Sequence, residues 1–180
     1  MDARVMPNFR RVWVPGGCFF FTVNLRDRSS DLLVRHVDRL REAVRVVRHT
    51  HPFIIHGWVI LPDHLHCVIE LPPGDSDYAT RWRLIKGTFS RGLPLSEPRS
   101  ASHRRRGERG IWQRRYWEHM IRDDADFSAY MDYVHINPVK HGLVQRVEEW
   151  PFSTFHGCVA KGVYPHDWAG GSEDDVTAPD

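Results

Sequence analysis

Four residues have side chains whose types and spacing suit phosphoryl chemistry. His64 and His66 are one residue apart in the run HLHCVIEL (64–71), which reads as a strand. Their imidazoles therefore leave one face while Leu65 and Cys67 point to the other, into the core. Two neutral imidazoles on one face can share a cation; a plain pair of histidines capping a sheet face is the alternative. Tyr133 and Asn137 lie four apart in DDADFSAYMDYVHIN and stack one turn apart on a helix. Phe127, Tyr130, Met131 and Val134 fit the apolar face of that helix better, which leaves Tyr133 near the boundary between its buried and open sides. Taken singly, Tyr133 is a packing tyrosine and Asn137, ahead of Pro138, a helix-end residue. Together the four describe a mechanism. A phenol with a pKa of about 10 is a weak nucleophile at neutral pH. A divalent cation held by two imidazoles and an amide oxygen would polarise a phosphodiester and orient it for in-line attack.

The elements that must position these groups follow from patterning. GCFFFTVNL (17–25) marks a buried strand after a Gly-Gly turn. Ser29, Ser30 or Asp31 can cap a helix in which Leu33, Val37, Leu40, Val44 and Val47 recur on one side, and Pro52 ends it. FIIHGWVI (53–60) and HLHCVIEL (64–71) then form a hairpin about Pro62-Asp63. Asp77 to Leu93 is helical with Trp82, Ile85 and Phe89 inside, and 94–110 is a mobile loop by composition. IWQRRYWEHMI (111–121) supplies a fourth strand, and Asp123 or Asp124 starts a helix that Pro138 stops. This order predicts an α+β, ferredoxin-like (RRM-like) antiparallel sheet with helices on one face, plus an extra helix carrying Tyr133. One catalytic domain over 1–142, a tail over 143–170 packed on it, and a disordered acidic end at 171–180 are the expected organisation.

Charge is unevenly spread. Residues 81–122 carry 12 basic and 3 acidic side chains, whereas 123–180 carry 3 and 11. Such a basic block reads as a polyanion-binding surface, against the plainer reading of a solvated Arg-rich loop, which applies most to Arg104, Arg105 and Arg106. Arg81, Arg83, Lys86, Arg91, Arg114 and Arg115 complete the set of candidate polyanion contacts, with the aromatics Trp82, Trp112, Tyr116 and Trp117 interleaved among them as core or as stacking surfaces. Cys18, Cys67 and Cys158 have no paired spacing and are read as ordinary thiols. The absence of a long apolar run predicts a cytoplasmic, nucleoid-associated protein with no membrane partner.

Four blocks carry a resemblance to a known family: GGCFFFTVNL, WVILPDHLHCVIELPPGDSDYATRWRLIKGTFS, IWQRRYWEHMIRDDADFSAYMDYVHINPVKHGLV and WPFSTFHGCVAKGVYPHDWAG. The chain resembles, from about Phe9 to Gly170, the REP-associated tyrosine transposases, relatives of the single-tyrosine HUH transposases of small insertion sequences. The resemblance implies Tyr133 as nucleophile, His64, His66 and Asn137 as metal ligands, and Mg²⁺ or Mn²⁺ as the metal, although ligand softness alone would also admit Zn²⁺. Many insertion-sequence relatives have Gln at the third position, so the shorter Asn137 leaves direct or water-mediated ligation open. It further implies cleavage and rejoining of single-stranded DNA next to palindromic hairpins through a 5′-phosphotyrosine, by a monomer in preference to a dimer. Two rival readings are a non-catalytic RRM-like nucleic-acid-binding protein, and a zinc-dependent hydrolase using Asp63 or Glu118 as its acid.

Overall fold

The computed structural model describes residues 13–95 and 100–171. Strands β1 (Cys18–Asn24), β2 (Ile54–Ile60), β3 (His64–Glu70) and β4 (Trp117–Met120) form one antiparallel sheet in the order β2-β3-β1-β4. Helices α2 (Val37–Thr50) and α3 (Tyr78–Arg91) follow β1 and β3, which gives the ferredoxin-like βαββαβ order. Helix α5 (Asp124–Lys140) is the extra helix and lies on the opposite face of the sheet.

Coverage of both faces explains why β1 and β3 are apolar without alternation. Phe19, Phe21 and Val23 of β1 and Leu65, Cys67 and Ile69 of β3 join Leu40, Val47, Trp82, Ile85 and Phe89 in one core. The alternate residues Phe20 and Val68 join Val59, Tyr130, Met131, Tyr133 and Val134 in a second. Register places Thr22 opposite His66 and Asn24 opposite His64, so the histidines belong to the face that α5 covers.

Several local expectations are corrected. The first helix breaks at His36 into α1 (Leu32–Arg35) and α2. The expected loop 94–110 contains α4 (Ala101–Arg105), capped by Ser100 Oγ accepting from His103 N at 3.2 Å; residues 96–99 lie outside the described residues. β4 is shorter than 111–121, because Trp112 makes only an isolated bridge to Leu25 before the chain rejoins β1 at Trp117. Pro138 does not stop α5, which runs on to Lys140. A proline in the last turn removes a single backbone bond, and the turn beyond it closes normally: Gly142, at φ +66°, donates to Val139 O (2.9 Å) and Leu143 to Pro138 O (2.9 Å), a Schellman termination.

The segment after α5 packs on the back of this helix. A 3₁₀ turn at Val147–Glu149 and α6 (Phe155–Ala160) bring Val147, Phe155, Tyr164 and Trp168 against Ile136 and Val139. The same segment pairs with the β2 edge, where Thr154 N donates to Trp58 O (2.9 Å) and Ile60 N to Phe152 O (2.9 Å). α5 is therefore enclosed between the sheet and the C-terminal segment. Asp180 and its neighbours from 172 onward lie outside the described residues. Among the described residues no helix is long and apolar enough to cross a membrane.

Candidate active site

His64 and His66 come together with Tyr133 and Asn137, as the spacing requires. The His64 and His66 rings are 4.8 Å apart between centroids, and the His66 and Tyr133 rings 5.2 Å. Tyr133 also packs edge-on against Phe20 at 5.7 Å. All four residues are buried, Tyr133 at 2% exposure and Asn137 at 0%. Tyr133 is thus not at an open boundary. The sheet covers one side of α5 and the C-terminal segment covers the other, so a helix read for a single apolar face is buried nearly all round in its last two turns.

Each imidazole is held from behind. His64 Nδ1 bonds Asp63 Oδ1 at 2.8 Å, and Arg28 pairs with the other oxygen of that carboxylate. His66 Nδ1 bonds Thr22 Oγ1 at 2.9 Å. Asp63, an acceptor only, fixes the Nδ1–H tautomer of His64 and leaves its Nε2 lone pair facing forward; the Thr22 hydroxyl orients the His66 ring and can accept from its Nδ1–H in the same way. Both Nε2 atoms are buried without a hydrogen-bond partner, as are Oδ1 and Nδ2 of Asn137. Such orphaned buried atoms carry a desolvation cost of about 1–3 kcal/mol each, which fits a site shaped for a ligand. Burial lowers the His64 pKa, against the opposing pull of Asp63, and burial together with the neighbouring His64 lowers that of His66 well below its usual value. Both rings are neutral at physiological pH and able to ligate.

No set of three or more His, Cys, Asp or Glu among the described residues is arranged to hold a metal; the Asn137 amide lies close enough to His66 to oppose the lowering of its pKa. The Lys140 ammonium lies 4.8 Å from the Tyr133 ring centroid. A cavity of about 240 Å³ opens beside His64, lined by Arg28, Ser30, Asp63, His141 and Leu143. Tyr130, three residues before Tyr133, stacks instead on His119 at 4.5 Å, and burial followed by the Asp126 charge pushes its phenol up to about 12.

The rivals lose their geometry. The sheet face that would read bases in an RRM-like protein lies under α5. Glu118 accepts from Tyr78 Oη at 3.3 Å, on the other side of the sheet from the histidines, and Asp63 is committed behind His64. Neither acid faces the Nε2 atoms.

The basic candidates divide. Arg81 is corrected: at 2% exposure it bonds Asp75, Pro52 O and Asp77 O, so it anchors the start of α3 and is not a DNA contact. Arg114 pairs with Glu108 at 2.9 Å. Lys86 donates to Gln113 O (3.1 Å) and Arg91 to Thr88 Oγ1 (3.0 Å). Arg83, Arg104, Arg105, Arg106 and Arg115 are exposed. Trp82 is core, Trp117 stacks on His119, and Trp112 and Tyr116 are half-buried.

Sequence reasoning missed Arg28, Thr22 and Lys140 and did not give Asp63 its orienting role. Two signals were present: Thr22 is a polar residue inside an apolar strand, and Asp63 immediately precedes His64.

Residues 21–137 match the family model described as "Transposase IS200 like". The chain is 48% identical to the REP-associated tyrosine transposase of Escherichia coli (strain K12), over 92% of each chain. It is 43% identical to a putative REP-associated tyrosine transposase of Haemophilus influenzae, over 92% of this chain and 94% of that one. A solved structure of a REP-associated tyrosine transposase bound to a REP hairpin matches with a TM-score of 0.80 at 47% identity, over 93% of each chain.

Proposed function

This chain belongs to the IS200-like transposases, in the branch of the REP-associated tyrosine transposases, and we propose that it cleaves and rejoins single-stranded DNA beside REP-type hairpins through a covalent bond to Tyr133. The observation that carries this reading is the set of buried orphan atoms, His64 Nε2, His66 Nε2 and Asn137 Oδ1, gathered around one tyrosine.

Those three atoms would hold Mg²⁺ or Mn²⁺, which when bound supplies Lewis-acid polarisation of the scissile phosphate. Asp63 and Thr22 keep the imidazole lone pairs aimed forward. Lys140, over the Tyr133 ring, favours the negative charge that develops on the phenol as its proton leaves ahead of attack, and again as the phenol departs in the reverse step. In the forward step the Tyr133 Oη–P bond forms and the P–O3′ bond breaks, leaving a 5′-phosphotyrosine and a 3′-hydroxyl. In the reverse step a 3′-hydroxyl attacks that phosphotyrosine and releases the phenol, so joining needs no nucleotide cofactor. The tyrosine and both histidines meet within one chain, which favours a monomer as the acting unit.

The test is a denaturing gel of the protein incubated with hairpin-bearing single strands and Mg²⁺ or Mn²⁺. The wild type forms a covalent protein–DNA species that disappears with chelator. Tyr133→Phe binds the DNA and forms none, whereas Tyr130→Phe still forms it. Loss of the adduct in Tyr130→Phe with retention in Tyr133→Phe would overturn the assignment.

A further inference from the structure

Residues 107–116, which connect α4 to β4, run beside α3 and leave a groove of about 740 Å³ between them. Arg83, Lys86, Gly87 and Arg91 line it from the helix, Trp112 and Tyr116 from the facing segment. Arg83, Gly87 and Arg91 are spaced by four and so form one ridge of α3, a cation at each end and bare backbone between. Among the described residues neither arginine has a carboxylate partner, in contrast to Arg81 and Arg114.

Gly87 is not explained by packing within the protein. A Cβ built there would meet only Arg91 Nη1, at 3.4 Å, yet glycine destabilises a helix interior relative to alanine. A glycine of this kind suits the close approach of something outside the chain. Opposite it, the Lys86 ammonium lies 5.8 Å from the Trp112 ring centroid and 5.1 Å from that of Tyr116, while Trp112 Nε1 donates to Ser90 Oγ at 3.2 Å and fixes the indole. Ring faces that attract a cation also stack nucleobases.

We propose that this groove is a second DNA subsite, one that takes unpaired nucleotides. Arg83 and Arg91 engage successive phosphates, the sugar-phosphate chain rests on the bare backbone at Gly87, and a base stacks on Trp112 once Lys86 swings to a phosphate. A duplex stem turns its bases inward and has no use for the ring faces, so the occupant is single-stranded. The inference rests on the DNA-cleaving reading above and adds where the strand runs beyond the scissile phosphate. Gln113 N bonds Asn24 O (3.0 Å), and Asn24 is the register partner of His64. The backbone of the groove wall is therefore two strand spacings from that of His64, about 10 Å, and because the groove opens on the α3 side of the sheet, a continuous strand reaches it from the histidines by turning around the β4 edge.

The test uses fluorescence anisotropy on the full chain with two labelled DNAs, a blunt hairpin and the same hairpin with a single-stranded extension. Gly87→Leu and the double variant Arg83→Ala/Arg91→Ala each lower affinity for the extended hairpin about tenfold and leave the blunt hairpin within about twofold. The double variant also loses about 1.4 from the salt slope on the extension, two contacts at about 0.7 each. Gly87→Ala raises the Tm while weakening the extended hairpin, an outcome that misfolding cannot produce. Equal loss on both DNAs assigns the groove to the stem and overturns the proposal, as does no loss on either. Wild-type protein that binds neither DNA would instead defeat the DNA-cleaving reading itself.

Discussion

The two faces of the sheet are built from alternate residues of the same strands and are used in opposite ways. Toward α2 and α3, Phe19, Phe21, Val23, Leu65, Cys67 and Ile69 make a dry apolar layer. Toward α5, the intervening positions supply Thr22, His64 and His66, with Asn137 added from the helix, and four of their polar atoms are buried without partners. One face supplies the apolar burial that favours folding, whereas the other holds groups that cost stability until a ligand meets them. A period of two along β1 and β3 is enough to separate these tasks by the thickness of the sheet.

That contrast can be broken most strongly at His64. His64→Ala is expected to lower metal-dependent adduct formation at least about a hundredfold while the Tm stays or rises, because it removes an orphaned polar ring. A coincident collapse of Tm would mean that the histidine holds the fold. Phe21→Ala, on the dry face, should do the reverse: a stability loss of about 3–5 kcal/mol in urea melts, with adduct formation by the folded fraction unchanged. A smaller effect is expected from acid. Burial pushes the His135 pKa down to about 4, with Asp132 acting weakly in the other direction. The folded value lies below the unfolded one of about 6.5. Its contribution is therefore complete above pH 6.5 and is lost as the pH falls towards 4, at most about 3 kcal/mol. Urea melts at pH 7, 5 and 4 should show a shallower loss in His135→Gln; an unchanged slope would assign the acid sensitivity elsewhere. The smallest effect sharpens the comparison within the polar face: Asp63→Asn should weaken Mn²⁺ binding about 10- to 100-fold by calorimetry and leave Tm within a degree or two. Unaltered affinity would remove Asp63 from the support of His64.

What could be read in the sequence was what depends on neighbours along the chain. The first three strands, the helix starts at Asp77 and Asp123, and the shared faces of His64 with His66 and Tyr133 with Asn137 are local patterns, and the structure reproduces them, with the fourth strand shortened to Trp117–Met120. The errors lie where distant segments decide. Tyr133 looked half-open because nothing local reveals that Phe20 and His66 of the sheet close over it or that residues 147–168 cover the back of α5, and Pro138 looked like a stop although a proline in the last turn removes only one backbone bond. Arg81 counted as a surface cation because its carbonyl partner, Pro52, lies 29 residues away. The support of His66 by Thr22 comes from strand register across 44 residues, which no spacing rule supplies.

The enclosure of α5 also bears on how copies of such a gene decay. A frameshift or stop codon just after Gly142 would leave every proposed catalytic side chain encoded, yet would uncover Ile136 and Val139 and strip β2 of its edge partner. The shortened product would present an apolar helix flank and an open strand edge, features that favour aggregation and proteolytic clearance. Late truncation should therefore silence a copy as completely as loss of the nucleophile, and an intact HLH and YVHIN in a genome would be poor evidence of a working element unless the reading frame continues through Trp168.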